Sequence, residues 1–419
     1  MNAAIISIGD ELIIGQVVNT NASYLSKAFF SAGIPVEKVI TVPDDEKLIL
    51  KQFHDAFRSA DIIAVTGGLG PTHDDITTHC IAKFFKSKLV LDKNLLKSIK
   101  ARFKKRKIKL PETSYRQALV PDIAEILSNK AGTAPGILVR KNGKIFFAMP
   151  GVPAEMVYLT EKHLLPVIKK QFKGGRTLKE KTLHTIGISE SLLSQKIGNL
   201  NDILKESGGV IVKLAFLPAS FEVRLRITVE AKSPALADKE ILSTVKKLKA
   251  RIGNYIYSYE EKSIEEVTGS ILAERKMKIA AAESCTGGLV SSKITNVAGS
   301  SEYFMDGIVA YTNEAKIEFL GVKKKTIDTY GAVSKETAIE MAEGARKRLG
   351  ADIGVSTTGI AGPGGGTKTK PIGLVWIGYS DKKNSFAKEF IFTKDRLRNK
   401  EVMSKMALEI VRRKLLRIE

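Results

Sequence analysis

Residues 62–85 read IIAVTGGLGPTHDDITTHCIAKFF. Ile62–Val65 is a short apolar run of strand length, and it enters the turn Thr66-Gly67-Gly68. Ile76–Phe85 carries apolar residues at helical spacing. The stretch therefore predicts strand, glycine turn, helix. The same grammar recurs on both sides of it. Ala3–Ile8 ends in Gly9-Asp10, Asn21–Ala32 has a helical apolar face, and Ile145–Met149 runs into Pro150-Gly151. Repeated strand–turn–helix units predict a parallel sheet with helices on both faces. Ligands on such sheets bind beyond the carboxyl ends of the strands, where these glycine turns fall.

The pattern returns near the C-terminus. Ile264–Glu274 reads as a helix, and Ile279–Ala282 as a strand leading into Glu283-Ser284-Cys285-Thr286-Gly287-Gly288. A helix at Leu289–Thr295 follows, then a strand at Gly307–Tyr311 and an amphipathic helix at Lys335–Leu349. Strands at Ile353–Thr357 and Leu374–Gly378 and a last helix at Asn399–Leu416 complete this segment. The stretch between reads differently. Lys181–Gly187 is a strand, Ser189 caps a short helix to Ile197, and Val210–Phe216 and Phe221–Val229 flank a turn at Leu217–Ser220. Pro234–Ile252 is a long helix with proline in its first turn, and Tyr255–Tyr257 is a final strand. This element order resembles a KH module, without the Gly-x-x-Gly clamp that such modules place on RNA. The expected class is α/β, with two doubly wound, three-layer α/β domains flanking a small α+β KH-like domain. The expected boundaries are 1–170, 171–258 and 259–419, with breaks at Gln171–Arg176 and near Tyr259–Ser263.

Composition narrows the function. The 419 residues carry 67 Lys and Arg against 45 Asp and Glu, a net charge of +22. Such a field favours anionic partners. The charge is spread along the chain, except for Lys93–Lys109, where nine basic residues occur with no acid. That run reads as a solvated helix face or an anion-binding face. Basic and aromatic residues do not interleave, so nucleic acid is not the expected partner. Two cysteines, Cys80 and Cys285, make neither a disulfide framework nor a metal-binding cluster. No stretch approaches the ~20 apolar residues of a membrane helix, and Met1–Gly9 lacks the basic start of a signal peptide. A cytoplasmic protein with no membrane partner is expected.

In the first domain, Gly67, Gly68 and Gly70, with Thr133 in the stretch NKAGTAPG (Asn129–Gly136), are candidate nucleotide-binding positions. Glycine there lets backbone N–H groups approach a phosphate. Carboxylates beside such a loop repel phosphate unless a cation lies between, so Asp10, Asp74 and Asp75 are candidate ligands of a hard divalent metal. The competing reading makes Asp74 and Asp75 N-caps of the following helix.

In the third domain, Ser284 and Cys285 compete as nucleophiles at a strand-to-helix turn, where backbone donors can hold an oxyanion. The five histidines are His54, His73, His79, His163 and His184, so this domain has no histidine and no Ser-His-Asp triad. A lysine made neutral by burial is the remaining base. Lys316, in Tyr311-Thr312-Asn313-Glu314-Ala315-Lys316, is the candidate, with Tyr311 near it. Thr286, Gly287 and Gly288, and Thr358, Gly359, Gly362 and Gly364 in the loop TTGIAGPGGG, are candidate substrate-binding positions. That loop lacks the Gly-Lys-Ser/Thr of a Walker loop.

These motifs together resemble the CinA family. The residues that carry the resemblance are GDELIIGQVVNTNASYL from Gly9, TGGLGPTHDDIT from Thr66, NKAGTAPG from Asn129 and MPGVPAEM from Met149. AESCTGG from Ala282, YTNEAK from Tyr311, GAVS from Gly331 and TTGIAGPGGGTKTKPIG from Thr357 extend it through the third domain. The resemblance implies a MogA-like, molybdopterin-binding fold for the first domain, with ADP-ribose pyrophosphatase activity dependent on magnesium, manganese or cobalt, and potassium as a further candidate ion. It implies that the third domain deamidates nicotinamide mononucleotide (NMN) without a cofactor, with Ser284 as nucleophile and Tyr311 and Lys316 as its partners. A homodimer is expected. The family often has two arginines four residues apart near the last strand; here Arg396 is followed by Lys400, with Arg398 between. Arg396 is a candidate substrate contact, and Arg396, Arg398 and Lys400 are alternatives for the phosphate contact.

Overall fold

The computed structural model describes residues 1–105, 107, 109, 111–171, 177–219 and 221–418. They form two compact units. The first holds Met1–Lys179 with Glu206–Ile211 and Val229–Glu240; the second holds Glu180–Lys205, Val212–Thr228 and Ile241–Glu419. The expected break at 171–176 lies outside the described residues from position 172.

The N-terminal sheet has the order Val36–Val42, Ala3–Ile8, Ile62–Thr66, Lys144–Met149, Gly136–Lys141, Glu125–Leu127. Its first four strands are parallel, and Gly136–Lys141 pairs antiparallel with both of its neighbours. The expectation of a parallel sheet is corrected there. Gly136–Lys141 and Lys144–Met149 are joined by a tight turn at Asn142-Gly143, both at positive φ, and a two-residue loop can only return the chain antiparallel. Along Ala3–Ile8 the side chains alternate between two cores. Ala4, Ile6 and Ile8 pack with Ile49, Phe53, Ile81 and Phe85; Ala3 and Ile5 pack with Leu25, Phe29, Met156 and Leu159. Burial on both faces produces three layers.

The C-terminal sheet has the order Phe304–Val309, Ile279–Glu283, Ile353–Gly359, Leu374–Ser380, Ser385–Ile391. The first three strands are parallel and the last two antiparallel. The strand expected at Gly307–Tyr311 is instead Phe304–Val309. Ile279 and Ala281 face one core with Val290, Ile294, Met403 and Ala407, while Ala280 and Ala282 face the other with Leu320, Met341 and Ala345. The small middle sheet has the order Lys205–Ser207, Val210–Ala219, Glu222–Ala231, Thr177–Ile186, Ile256–Ser258. Ser189 caps Glu190–Ile197 as expected. The turn expected at Leu217–Ser220 is narrower, because the strand continues to Ala219; Ser220 lies outside the described residues. No described helix is long and apolar enough to cross a membrane.

Candidate active site

The Ile279–Glu283 strand delivers Ser284 to the sheet's carboxyl end, where its N–H donates to the Thr357 carbonyl at 2.9 Å. Gly287 and Gly288, at φ +60° and +92°, then reverse the chain into the Leu289–Thr295 helix. Side chains with a Cβ rarely adopt such angles. The helix start carries its own cap. Glu283 is 1% exposed, and its carboxylate accepts from the Val290 N–H (3.0 Å), the Ser291 N–H (2.8 Å) and the Ser291 and Thr286 hydroxyls (both 2.7 Å). Two of the helix's free donors are thereby occupied, which the sequence reading had left available to a ligand.

Over this turn lies a cavity of about 190 Å3. Ser284, Tyr311, Lys316, Thr358, Gly359 and Arg396 all reach its wall. Lys316 is 1% exposed. Its ammonium donates to the carbonyls of Ala310 (3.0 Å), Tyr311 (3.1 Å) and Thr312 (3.4 Å), and makes no hydrogen bond to Ser284. Burial holds its pKa below the ordinary 10.5, with Cys285 and Glu314 opposing the shift. Arg396 ties the mouth together, donating to the Tyr311 hydroxyl at 3.1 Å and to the Gly362 carbonyl at 2.9 Å. The Thr358 hydroxyl donates to the Ala332 carbonyl at 2.6 Å.

Cys285 also touches the cavity, but its sulfur packs 3.7 Å from the Met403 sulfur within the apolar core. Burial pushes its thiol up to about 12. Thr286 is fully buried, bonded to Glu283 and to Thr357 at 2.7 Å, and so supports the turn from within. Gly287, Gly288, Gly362 and Gly364 are not in the wall. Of the three basic candidates, Arg396 alone lines the cavity. A Cβ on Gly287 would lie 3.3 Å from the Lys400 ammonium, which places Lys400 over the turn. Asn313 and Val333 were missed as wall residues. They fall in the quoted YTNEAK and GAVS stretches, which carried the signal.

In the N-terminal domain a cleft of about 380 Å3 gathers Gly67, Gly68, Gly70, Thr133, Asp74 and Asp75. Gly67 has φ +108°, and a Cβ there would strike the Ile8 carbonyl at 2.0 Å. The turn therefore folds close against the first strand only as glycine. Neither Asp74 nor Asp75 caps the next helix. That helix is Thr77–Phe85, with Ile76 at its N-cap and no side-chain cap bond. Asp75 instead accepts from the Thr72 N–H at 2.8 Å. Asp10 lies outside the wall, paired with Asp44 through reciprocal backbone bonds of 3.1 and 3.2 Å. Sequence reasoning missed Asp44 and Glu11, both in the wall. Burial raises the Asp44 pKa, and the charges of Asp10, Glu11 and Asp74 add to it against a backbone hydrogen bond at Asp10.

Among the described residues, no group of three or more His, Cys, Asp or Glu side chains converges as a metal site. The donor chemistry nonetheless fits a hard divalent ion. The negative charges of Asp10, Glu11 and Asp74 all bear on the Asp44 carboxylate. Magnesium commonly takes only one or two carboxylates together with water and substrate phosphate. Arg102, from the basic run, donates to the carbonyls of Asn129 and Gly132. Asn129 in turn bonds Glu155 and the Ala134 carbonyl. This network holds the loop that carries Thr133.

Two strand–glycine turn–helix clefts on three-layer α/β domains, with a KH-like domain between them in sequence, define a multidomain protein with two candidate clefts. Residues 4–170 match the family described as "Probable molybdopterin binding domain", residues 180–258 the "Damage-inducible protein CinA KH domain", and residues 261–415 the "CinA C-terminal domain". The CinA-like protein of Chloroherpeton thalassium is 44% identical over 420 residues, covering 98% of this chain and 99% of its own. That of Kosmotoga olearia is 44% identical over 418 residues, covering 99% of each. The chain belongs to the CinA family. A solved structure of the competence/damage inducible protein CihA from Agrobacterium tumefaciens is 39% identical and covers 36% of this chain and 96% of its own, with a TM-score of 0.35.

Proposed function

We propose that the protein is a bifunctional pyridine-nucleotide salvage hydrolase. The C-terminal domain converts NMN to nicotinate mononucleotide and ammonia. The observation that carries this reading is the single cavity wall shared by Ser284, Tyr311, Lys316 and Arg396. The Ser284 hydroxyl attacks the amide carbon, the carbon–nitrogen bond breaks, and the serine proton leaves with the nitrogen as ammonia. Water then hydrolyses the serine ester. Lys316, whose burial favours the neutral amine, acts as base once substrate draws the site together; catalytic hydrogen bonds are often long before substrate binds. Tyr311 orients the proton, and Arg396 at the exposed mouth meets the phosphate.

The N-terminal cleft hydrolyses ADP-ribose to AMP and ribose 5-phosphate. Its glycine backbone receives the pyrophosphate, and the wall carboxylates Asp44 and Asp74, with Asp10 bonded behind Asp44, would hold a divalent ion. Bound there, such an ion neutralises phosphate charge and polarises the phosphorus. A second reading, favoured by the family match over residues 4–170, is that the cleft binds a molybdopterin-type ligand without cleaving it.

One assay separates these readings. Intact protein is given NMN and ADP-ribose, with and without chelator, and ammonia and AMP are measured. Ammonia is expected in both conditions and AMP only without chelator. No ammonia from NMN defeats the deamidase. No AMP in the presence of magnesium, manganese or cobalt leaves the cleft a binding site.

A further inference from the structure

Within the second unit, behind the helices that build the Ser284 cavity, lies another cavity of about 350 Å3. Every residue at its wall is charged, polar or tyrosine. Two ion pairs are internally satisfied: Lys405 with Glu222 at 2.8 Å, and Lys293 with Glu401 at 2.7 Å. Three wall groups are not. His184 is only 3% exposed, and neither ring nitrogen has a hydrogen-bond partner. The Glu261 carboxylate lies 3.4 Å from its Nε2, outside hydrogen-bonding geometry. Oε2 of Glu265 is buried without a partner. Arg224 is exposed at the wall, makes no hydrogen bond or ion pair among the described residues, and its charge, like those of Glu222 and Glu265, bears on the Tyr257 hydroxyl. Buried polar groups are almost always hydrogen-bonded, so the His184 ring and Glu265 Oε2 call for an occupant.

We propose that this cavity is a second ligand site, and that it takes a small zwitterion of free amino-acid size. The complement of the three unsatisfied groups defines the ligand: a carboxylate for Arg224, an ammonium for Glu265, and a polar group for His184. The lack of apolar wall excludes a hydrophobic ligand, since specific small-molecule pockets for those are mostly apolar. The site also touches the catalytic framework. The Arg396–Leu416 helix supplies Glu401 and Lys405 here and Arg396 to the other cavity; the Leu289–Thr295 helix supplies Lys293 here and begins at the Ser284 turn. The binding proposal stands independently of the deamidase reading.

The test is calorimetric titration of the full chain with each of the twenty amino acids, using acetate and methylammonium as probes of each half of the ligand. At least one amino acid should bind saturably, with acetate and methylammonium at least ~10-fold weaker, as loss of one charged contact implies. Arg224→Ala and Glu265→Gln should each weaken that binding ~10-fold or more, with unfolding temperature and ligand-free turnover retained. No saturable binding by any amino acid, equal binding by a half-probe, or binding unchanged in both variants overturns the proposal. Binding without any NMN turnover in the native chain defeats the deamidase reading and leaves this site standing.

Discussion

The N-terminal cleft and the Ser284 cavity are made by the same local device, yet their electrostatics are opposite. Both place a glycine turn at the carboxyl end of a parallel strand. At the N-terminal turn, Glu11, Asp44, Asp74 and Asp75 face the cleft, so an anionic substrate needs a cation between. At the C-terminal turn the carboxylate, Glu283, is turned inward and consumed in capping a helix. Lys316 and Arg396 face the cavity instead. The scaffold supplies backbone donors; the direction of one or two acidic side chains decides which sign of charge faces the cleft.

The sharpest way to break this contrast is chelation. EDTA should abolish AMP release from ADP-ribose and leave ammonia release from NMN unchanged. Loss of both together would show that the two clefts are not chemically independent.

The next largest effect is at the nucleophile. Ser284→Ala should cost at least ~10³-fold in turnover, as removal of a nucleophile does in serine hydrolases. Lys316→Ala should be nearly as severe. Cys285→Ala should retain most activity, because a thiol raised to about 12 and packed on Met403 is neither ionised nor aimed at substrate. A dead Cys285→Ala beside an active Ser284→Ala would reverse the assignment.

Arg396→Ala should raise KM for NMN and lower kcat/KM by roughly 10- to 100-fold, the value of a charge-assisted bond. The AMP-forming activity should not change. An unchanged KM would move the phosphate contact to Lys400.

Glu283→Ala removes the acceptor of four backbone and hydroxyl donors in a buried place. It should destabilise the C-terminal domain by roughly 3 kcal/mol, read as a lowered denaturation midpoint. No comparable loss is expected from Asp74→Ala, whose carboxylate is exposed.

The smallest effect is in pH. Lys316 gives up its proton below the ordinary 10.5, so kcat/KM should rise with pH on a limb below that value. The unfolded chain holds this proton longer than the folded one. Stability contributed at this site therefore increases as pH rises from the lowered pKa toward 10.5. A flat profile over that window would show that Lys316 acts as a fixed cation.

Much of this was legible in local sequence. Strand, glycine turn and helix are short-range features, set by apolar periodicity and by the φ angles that only glycine adopts easily, so the turns at Gly67 and Gly287 could be placed without a structure. The same holds for Ser284, Tyr311 and Lys316, because the quoted motifs bring their neighbourhoods into one reading. What tertiary structure alone decided are directions and distant pairings. Asp44 reaches Asp10 across 34 residues, Arg396 reaches Tyr311 across 85, and Arg102 reaches Asn129 across 27. No local period encodes such distances. Glu283 and Thr286 point inward, and Cys285 points toward Met403, because the turn's geometry and the packing of the Arg396–Leu416 helix leave only those directions filled. Apolar pattern determines which chain segments must be buried; which polar group faces a cleft depends on the partners that distant segments bring to it.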